Sequence, residues 1–256
     1  MTVVTTFQHH IALIELNRPE AMNALNEQML ADLNAALDEV ESSTCRGMVF
    51  TGAGDRAFCA GADISQLQGR TPRAHRANAV LGQAVFDRVY RSPLPSVAVI
   101  HGFAFGGGLE LALACTARIA TSRAKMGLPE VKLGLIPGYG GTQRLPRLIG
   151  EARAAEIILG GEVLGAEEAL HIGLINRIVD GGRPGELGIA YLAPWVRHGK
   201  VAVAAARQAM RRGQEVSLNA GLAIEADVFS ACTQSRDAAE GIAAFLAKRP
   251  AVFRDE

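Results

Sequence analysis

The sequence has few cysteines, only 4 in 256 residues, and no two of them form a Cys-x-x-Cys pair. Cys45, Cys59, Cys115 and Cys232 lie far apart in the chain, which argues against a zinc site and against a disulfide-rich scaffold. The N-terminal stretch also lacks the basic segment and apolar run of a signal peptide. Because free thiols fit a reducing compartment, we expect four free cysteines and a cytoplasmic location.

The chain also lacks net charge, since 26 Lys and Arg residues balance 26 Asp and Glu residues. No long-range field therefore attracts nucleic acid or a membrane surface, and an anionic ligand must be bound by local groups. The stretch 92–109 is uncharged, but Pro93, Pro95 and a glycine run at 106–108 interrupt it. We therefore expect no transmembrane helix.

Short β-rich runs beginning near residues 11, 47, 96 and 117 alternate with helical patterns, and this alternation predicts an α/β fold. A one-sided apolar pattern predicts a helix up to Val40 with Asn26 as its N-cap, and a second helix is predicted over 75–90. After about residue 195 the strand signal ends and alanine-rich helical segments follow. We predict a core at 1–195 and a helical region at 196–256.

One glycine pattern resembles a dinucleotide-binding fingerprint, because Gly52, Gly54 and Ala57 follow a predicted strand with the spacing G-x-G-x-x-A. The residues that come next, FCAGADI, do not have the pattern of an amphipathic helix. No acidic residue lies between Asp63 and Asp87 to bind a ribose. We expect no nucleotide cofactor at this position.

Three other segments could carry chemistry, although each also has a purely structural interpretation. Residues 58–63, FCAGAD, form a small-residue turn whose N–H groups a ligand could approach, or an ordinary tight turn. The glycines at 106–108 open an apolar helix whose first N–H groups can stabilise an anion, and Glu110 is either a site carboxylate or one favoured by the helix dipole. Glu130, ahead of the glycine-dense segment 134–141, is either a desolvated acid–base group or a surface residue.

Together, the segments NRPEAMNALN, FCAGADI, HGFAFGGGLELALAC, LPEVKLGLIPGYGGTQRLPRLIG and EGIAAFLAKRPAVF resemble the enoyl-CoA hydratase/isomerase, or crotonase, superfamily over essentially the whole chain. The resemblance implies a spiral of ββα units over 1–195 and a helical C-terminal oligomerisation region over 196–256, which mediates homotrimers or homohexamers. It is strongest to enoyl-CoA hydratases, lyases of fatty-acid β-oxidation that add water reversibly to a trans-2-enoyl-CoA and give a 3-hydroxyacyl-CoA.

In this family two backbone N–H groups bind the thioester oxygen, and the matching positions here are Ala62 and Gly107. Hydratases of the family carry two catalytic glutamates, matched by Glu110 and Glu130. One carboxylate would deprotonate water while the other manages the proton at the α carbon. Gly138 matches a position that lines the acyl pocket, where the lack of a side chain leaves room beside Glu130.

The family also binds CoA in a bent form, and the resemblance implies no cofactor besides the CoA of the substrate and no metal. The implied substrate contacts are Ala21, Met22, Ala24, Ala60, Gly61, Asp63, Ile64 and Lys248. The CoA phosphates need local cations, for which Arg18, Arg56 and Lys248 are all candidates.

Alternative functions remain open at this point. An enoyl-CoA isomerase or a carnitinyl-CoA-type dehydratase would share the fold and the backbone donors, although keeping both glutamates favours a hydratase. One branch of the family binds RNA through a basic face on a comparable helix. Arg70, Arg73 and Arg76 recur every third residue in a predicted helix, but with zero net charge and no aromatic residue nearby we do not expect nucleic acid as a partner.

Overall fold

The computed structural model describes all residues 1–256, and its ten strands form two sheets. The 6-stranded sheet has the order β1 (Val3–Gln8), β2 (Ile11–Leu16), β3 (Gly47–Gly52), β5 (Ser96–Ile100), β7 (Ala117–Ala120) and β10 (Arg177–Ile178). The 4-stranded sheet has the order β4 (Ala57–Cys59), β6 (Phe103–Phe105), β8 (Lys125–Gly127) and β9 (Val163–Gly165). The four predicted strands correspond to β2, β3, β5 and β7.

The ten α-helices connect these strands in the first part of the chain and fill its end. They are α1 (Glu27–Glu41), α2 (Pro72–Arg91), α3 (Gly107–Ala114), α4 (Gly141–Ile149), α5 (Glu151–Gly160), α6 (Ala166–His171), α7 (Pro184–Val196), α8 (Lys200–Gly213), α9 (Leu218–Cys232) and α10 (Arg236–Leu246). None of them combines the length and the apolar content that a membrane crossing requires.

Successive strand pairs place one strand in each sheet: β3 and β4, then β5 and β6, then β7 and β8. The neighbours β3, β5 and β7 pair in parallel in the first sheet, as do β4, β6 and β8 in the second. Helix α2 separates the first two pairs and α3 the next two. This arrangement confirms the predicted spiral of ββα units.

The core lies on both faces of the central strands, because every residue of β3, β5 and β7 is buried. Such strands read as continuous apolar runs rather than as an alternating pattern, which is why the sequence predicted them readily. Helix α1 covers this sheet with Leu30, Leu33 and Leu37, and the Asn26 side chain accepts a hydrogen bond from the Met29 N–H at 2.8 Å. The predicted cap of α1 is therefore confirmed.

The three arginines at 70, 73 and 76 do not all lie on α2, as the predicted helix required. Helix α2 begins at Pro72, and the Thr71 hydroxyl accepts a hydrogen bond from the Ala74 N–H at 3.2 Å. A capping threonine followed by a first-turn proline is a strong helix start, so Arg70 lies outside the helix. Its guanidinium pairs instead with the Glu27 carboxylate at 2.7 Å, and only Arg73 and Arg76 belong to α2.

The chain divides into two compact units, residues 1–91 with 96–191, and residues 92–95 with 192–256. The boundary predicted after residue 195 falls within α7. In the second unit the C-terminal tail folds back on α10, where the buried Asp237 carboxylate accepts hydrogen bonds from the N–H groups of Arg254 and Asp255 at 2.7 and 2.9 Å. The oligomerisation role of this unit stays a prediction.

Candidate active site

The FCAGAD segment is held in an extended form by the chain that precedes α1. The Leu25 N–H donates to the Gly61 carbonyl at 2.7 Å, and the Asp63 N–H donates to the Leu25 carbonyl at 2.8 Å. Successive N–H groups of an extended segment point in opposite directions, so the N–H of Ala62 faces away from Leu25. This N–H donates to no acceptor within the structure.

The start of α3 lies against this segment. Gly61 has φ +109°, and a Cβ there would lie 3.1 Å from the Phe105 carbonyl oxygen and 3.8 Å from the Gly107 nitrogen. Gly107 is the first residue of α3, so its N–H has no intrahelical acceptor, and it finds none elsewhere. The structure therefore brings the free donors of Ala62 and Gly107 into neighbouring positions.

Asn23 ties the chain that precedes α1 to the β3–β4 connection and to β4. Its side chain is fully buried and donates to the carbonyls of Ala53 and Ala57, both at 2.9 Å, while its Oδ1 accepts from the Arg18 N–H at 2.9 Å. The residue has φ +56°, a conformation that asparagine adopts more readily than most residues. Asn23 was not predicted as a functional residue, although an asparagine within the RPEAMNAL motif was a visible signal.

Glu110 lies in the first turn of α3 with only 1% of its surface exposed. Its Oε1 accepts hydrogen bonds from the N–H groups of Tyr139 at 2.8 Å and Gly141 at 2.7 Å. Because Gly141 is the first residue of α4, the carboxylate also faces the positive end of that helix. The glycine-dense segment 138–141 therefore wraps the Glu110 carboxyl group with backbone donors.

Burial raises the pKa of Glu110 to about 7, because the charged form loses hydration. The two N–H donors act in the opposite direction, the nearby Glu130 charge raises the pKa further, and the Arg144 guanidinium lowers it. Near neutral pH this carboxyl group is therefore distributed between its two protonation states, as acid–base work requires.

Glu130 lies in a 3-10 helix, Pro129–Leu133. A Cβ on Gly106, which has φ +48°, would lie 2.7 Å from the Glu130 Oε1. The missing side chain of Gly106 therefore makes room for this carboxyl group beside the start of α3. Burial raises the pKa of Glu130, and its Oε2 is buried without a hydrogen-bond partner.

The remaining predicted contacts are distributed around these groups. A Cβ on Gly138 would meet nothing within 4 Å, so this glycine borders open space. The side chain of Asp63 is occupied, because it caps the short helix Ile64–Gln66 and pairs with Arg18 at 3.2 Å. The segments that contain Ala21, Met22, Ala24, Ala60, Gly61 and Ile64 run beside one another, whereas Lys248 lies in the second unit and stays a prediction.

Two reactive side chains near these motifs have structural surroundings. The Cys59 thiol is fully buried, and burial raises its pKa to about 12. The His101 ring bridges the Thr51 hydroxyl and the Gly54 carbonyl at 3.4 and 3.1 Å, and burial lowers its pKa. All four cysteines are free, and no three His, Cys, Asp or Glu side chains are grouped so as to hold a metal ion.

Comparison with known proteins shows which family this chain belongs to. Residues 6–256 match the model of the family described as "Enoyl-CoA hydratase/isomerase". The chain is 40% identical to a crotonyl-CoA hydratase of Syntrophomonas wolfei, over 98% of this chain and 97% of that protein. It is 38% identical to a short-chain-enoyl-CoA hydratase of Clostridium acetobutylicum, over 96% of this chain and 95% of the relative.

A solved structure of an enoyl-CoA hydratase from Bacillus anthracis superimposes on this one with a TM-score of 0.96 and 36% identity, over 100% of both chains. The similarity therefore includes both sheets and all of the C-terminal helices.

The raised pKa of Glu110 predicts a pH-dependent cost in stability. A carboxyl group whose pKa is about 7 in the folded state and about 4.5 in the unfolded chain contributes stability below pH 4.5, and this is lost as the pH rises through 7. Glu110→Gln keeps an acceptor for both N–H donors and does not ionise. From pH 5 to pH 8 we expect the variant to gain about 2 kcal/mol in unfolding free energy relative to wild type, measured by urea denaturation at equal protein concentration.

The matched control is Glu167→Gln, which changes an exposed glutamate in α6 and should leave the difference from wild type independent of pH. A constant difference between Glu110→Gln and wild type at both pH values would contradict a raised pKa at Glu110.

Proposed function

The chain belongs to the enoyl-CoA hydratase/isomerase family, and we propose that it is an enoyl-CoA hydratase in which Glu110 and Glu130 act on water and on the α carbon. The observation that carries this proposal is the convergence of the buried Glu110 carboxyl group and the half-buried Glu130, whose Oε2 is buried, on the part of the fold that holds two free backbone donors. An isomerase needs no group to activate water, so the presence of both carboxyl groups favours hydration.

The backbone donors of Ala62 and Gly107 bind the thioester oxygen of a trans-2-enoyl-CoA. When the water oxygen adds to C3, the electron pair of the double bond moves towards the thioester oxygen, and the thioester becomes enolate-like. Two donors that carry no competing hydrogen bond stabilise this charge without having to reorganise. The positive end of the α3 dipole, at Gly107, also stabilises the negative charge on the thioester oxygen.

The two carboxyl groups divide the proton transfers. Glu110 has its Oε1 occupied by two N–H donors, which leaves Oε2 to accept a proton from water as the C3–O bond forms. Glu130, whose pKa is raised by burial, gives a proton to C2 and collapses the enolate. Water is thereby added as OH at C3 and H at C2, giving a 3-hydroxyacyl-CoA, and proton exchange with solvent then deprotonates Glu110 and reprotonates Glu130. This scheme uses no cofactor besides the CoA of the substrate.

Arg56 is the better placed of the predicted phosphate ligands in the first unit. The Arg18 guanidinium is already used, since it donates to the Ala24 carbonyl at 2.7 Å and pairs with Asp63. Arg56 is exposed, and its Nη2 lies 3.6 Å from the sulfur of Met22, itself a predicted CoA contact. We therefore propose that Arg56 binds the CoA phosphates and that Arg18 stabilises the conformation of the 18–25 segment.

The second unit supports a homotrimer or a homohexamer. Helix α9 has no buried residue although its sequence, LNAGLAIEADVFSAC, is largely apolar. Phe229 in α9 is 70% exposed and Phe245 in α10 is 82% exposed. Monomeric proteins rarely leave such surfaces uncovered, so copies of the same chain would cover them. The free cysteines further favour a cytoplasmic location.

Loss of either carboxyl group should stop hydration while leaving the fold intact. Crotonyl-CoA is the substrate to use, because the relatives named above include a crotonyl-CoA hydratase. We expect Glu110→Gln and Glu130→Gln each to lower kcat by about 10²-fold or more, followed as loss of the conjugated enoyl absorbance. Glu167→Gln serves as the control. An inactive wild type on short and long enoyl-CoAs would overturn the hydratase proposal.

Removal of the Arg56 charge should weaken binding without affecting the chemistry. We expect Arg56→Ala to raise KM for crotonyl-CoA about tenfold with little change in kcat, because the phosphates do not react. Crotonyl-pantetheine lacks the nucleotide phosphates, so wild type and variant should have equal kinetics with it. An equal loss with both substrates would show that Arg56 acts on the fold rather than on a phosphate.

A charge on α9 should disrupt the assembly. We expect wild type to sediment with three or six times the mass of one chain, and Phe229→Glu to shift it to smaller species because a carboxylate cannot be buried unpaired. Phe7→Glu is the matched control, since Phe7 is an exposed aromatic residue on β1. A monomeric wild type, or an unchanged mass for Phe229→Glu, would contradict the proposed interface.

A further inference from the structure

The side chain of Tyr139 has no role in the chemistry above, yet it is among the most tightly held groups near the site. Its backbone N–H is one of the two donors to the Glu110 carboxylate. Its ring is 6% exposed and packs against α2, which provides no catalytic group.

Residues on one face of α2 contact the Tyr139 side chain along its length. The Asn78 side chain donates to the Tyr139 hydroxyl at 2.8 Å. One turn later, Gly82 allows such close approach that a Cβ there would lie 2.4 and 2.5 Å from the ring carbons Cδ1 and Cε1. After a further turn, the Phe86 ring meets the Tyr139 ring edge to face, with centroids 5.6 Å apart. Spacing by four residues places all three on one helix face.

The opposite side of the ring lies against the start of α3. A Cβ on Gly107 would lie 3.2 Å from Cδ2 of Tyr139, so the ring fills the space between Gly82 and Gly107. The backbone on either side is held as well, because the Gln83 side chain donates to the Gly138 carbonyl at 2.9 Å and Arg144 donates to the Tyr139 carbonyl at 3.0 Å. The direction of the Tyr139 N–H is therefore set by contacts on every side.

We propose that Tyr139 is a positioning residue, whose ring is clamped by Asn78, Gly82 and Phe86 of α2 so that its backbone N–H is aimed at Glu110. This inference rests on the proposed hydratase function and adds α2 to the parts of the chain that determine its rate. Gly82 matters in it as the residue that leaves space for the ring, not as a source of flexibility.

The first test compares Tyr139→Ala with Tyr139→Phe on crotonyl-CoA. Removal of the ring leaves the segment 138–141 without its anchor and weakens the N–H donors that lower the pKa of Glu110. We expect Tyr139→Ala to lose about tenfold or more in kcat, and the Glu110 limb of its pH–rate profile to move up by about one pH unit. Tyr139→Phe keeps the ring, so its kcat should stay within about threefold of wild type and the Glu110 limb of its pH–rate profile should not move.

The second test is a double-mutant cycle. Gly82→Ala forces the ring to move and should reproduce the loss and the pH shift of Tyr139→Ala. In the Tyr139→Ala background the added methyl group meets no ring, so Gly82→Ala should lower kcat by less than about a further twofold. The control is Gly160→Ala in α5, where a Cβ would lie 3.5 Å from its nearest neighbour and no effect is expected.

The outcomes separate this inference from the proposed function. An unshifted pH limb in Tyr139→Ala, or equal costs of Gly82→Ala in both backgrounds, would overturn the positioning role while wild-type hydration stands. If wild type does not hydrate enoyl-CoAs, the hydratase function fails, and the clamp is tested by stability alone. In that case the Glu110→Gln change is compared in the wild-type and Tyr139→Ala backgrounds. The pH at which this change begins to raise the unfolding free energy must be higher in the Tyr139→Ala background, and an unchanged pH would overturn the clamp.

Discussion

A carboxyl group as deeply buried as that of Glu110 determines much of the surrounding architecture. Burial without partners would cost several kcal/mol, so the chain has to bring hydrogen-bond donors to it. Those donors are backbone N–H groups of Tyr139 and Gly141, which can approach because glycines flank them and because α4 begins there. The glycine-dense segment after Glu130 is therefore explained by Glu110, which lies well upstream in the chain.

The spiral of strand pairs explains how groups distant in sequence meet. Each turn places one strand in each sheet, and the connections after β4, β6 and β8 leave the second sheet in succession. Ala62 follows β4, Gly107 follows β6 and Glu130 follows β8, so three turns each contribute one group to the same place. Parallel pairing keeps these exits on one edge, where α/β sheets commonly bind ligands.

The sequence predicted the parts of this arrangement that depend on local chemistry. Buried apolar strands, the Asn26 cap and a helix opening on glycines all follow from short segments, and the resemblance supplied the two glutamates and two donors. The three-residue strands of the second sheet are too short to have a periodic pattern, so β4, β6, β8 and β9 were missed. The RPEAMNAL motif drew attention to the segment of Asn23, but the partners of Asn23 and Tyr139 lie far away in the chain, and a single sequence contains no signal for such pairings.

Burial raises the pKa of both glutamates, but the two carboxyl groups differ in their hydrogen-bond donors. Glu110 has one oxygen held by two N–H donors, which stabilise its charged form, whereas Glu130 has a buried oxygen with no partner, which favours its protonated form. If both groups were equally hydrogen-bonded, their mutual repulsion would still make one protonate, but neither role would be assigned to a particular side of the substrate. The N–H groups of Tyr139 and Gly141 therefore make the division of roles between the two carboxyl groups a property of the fold.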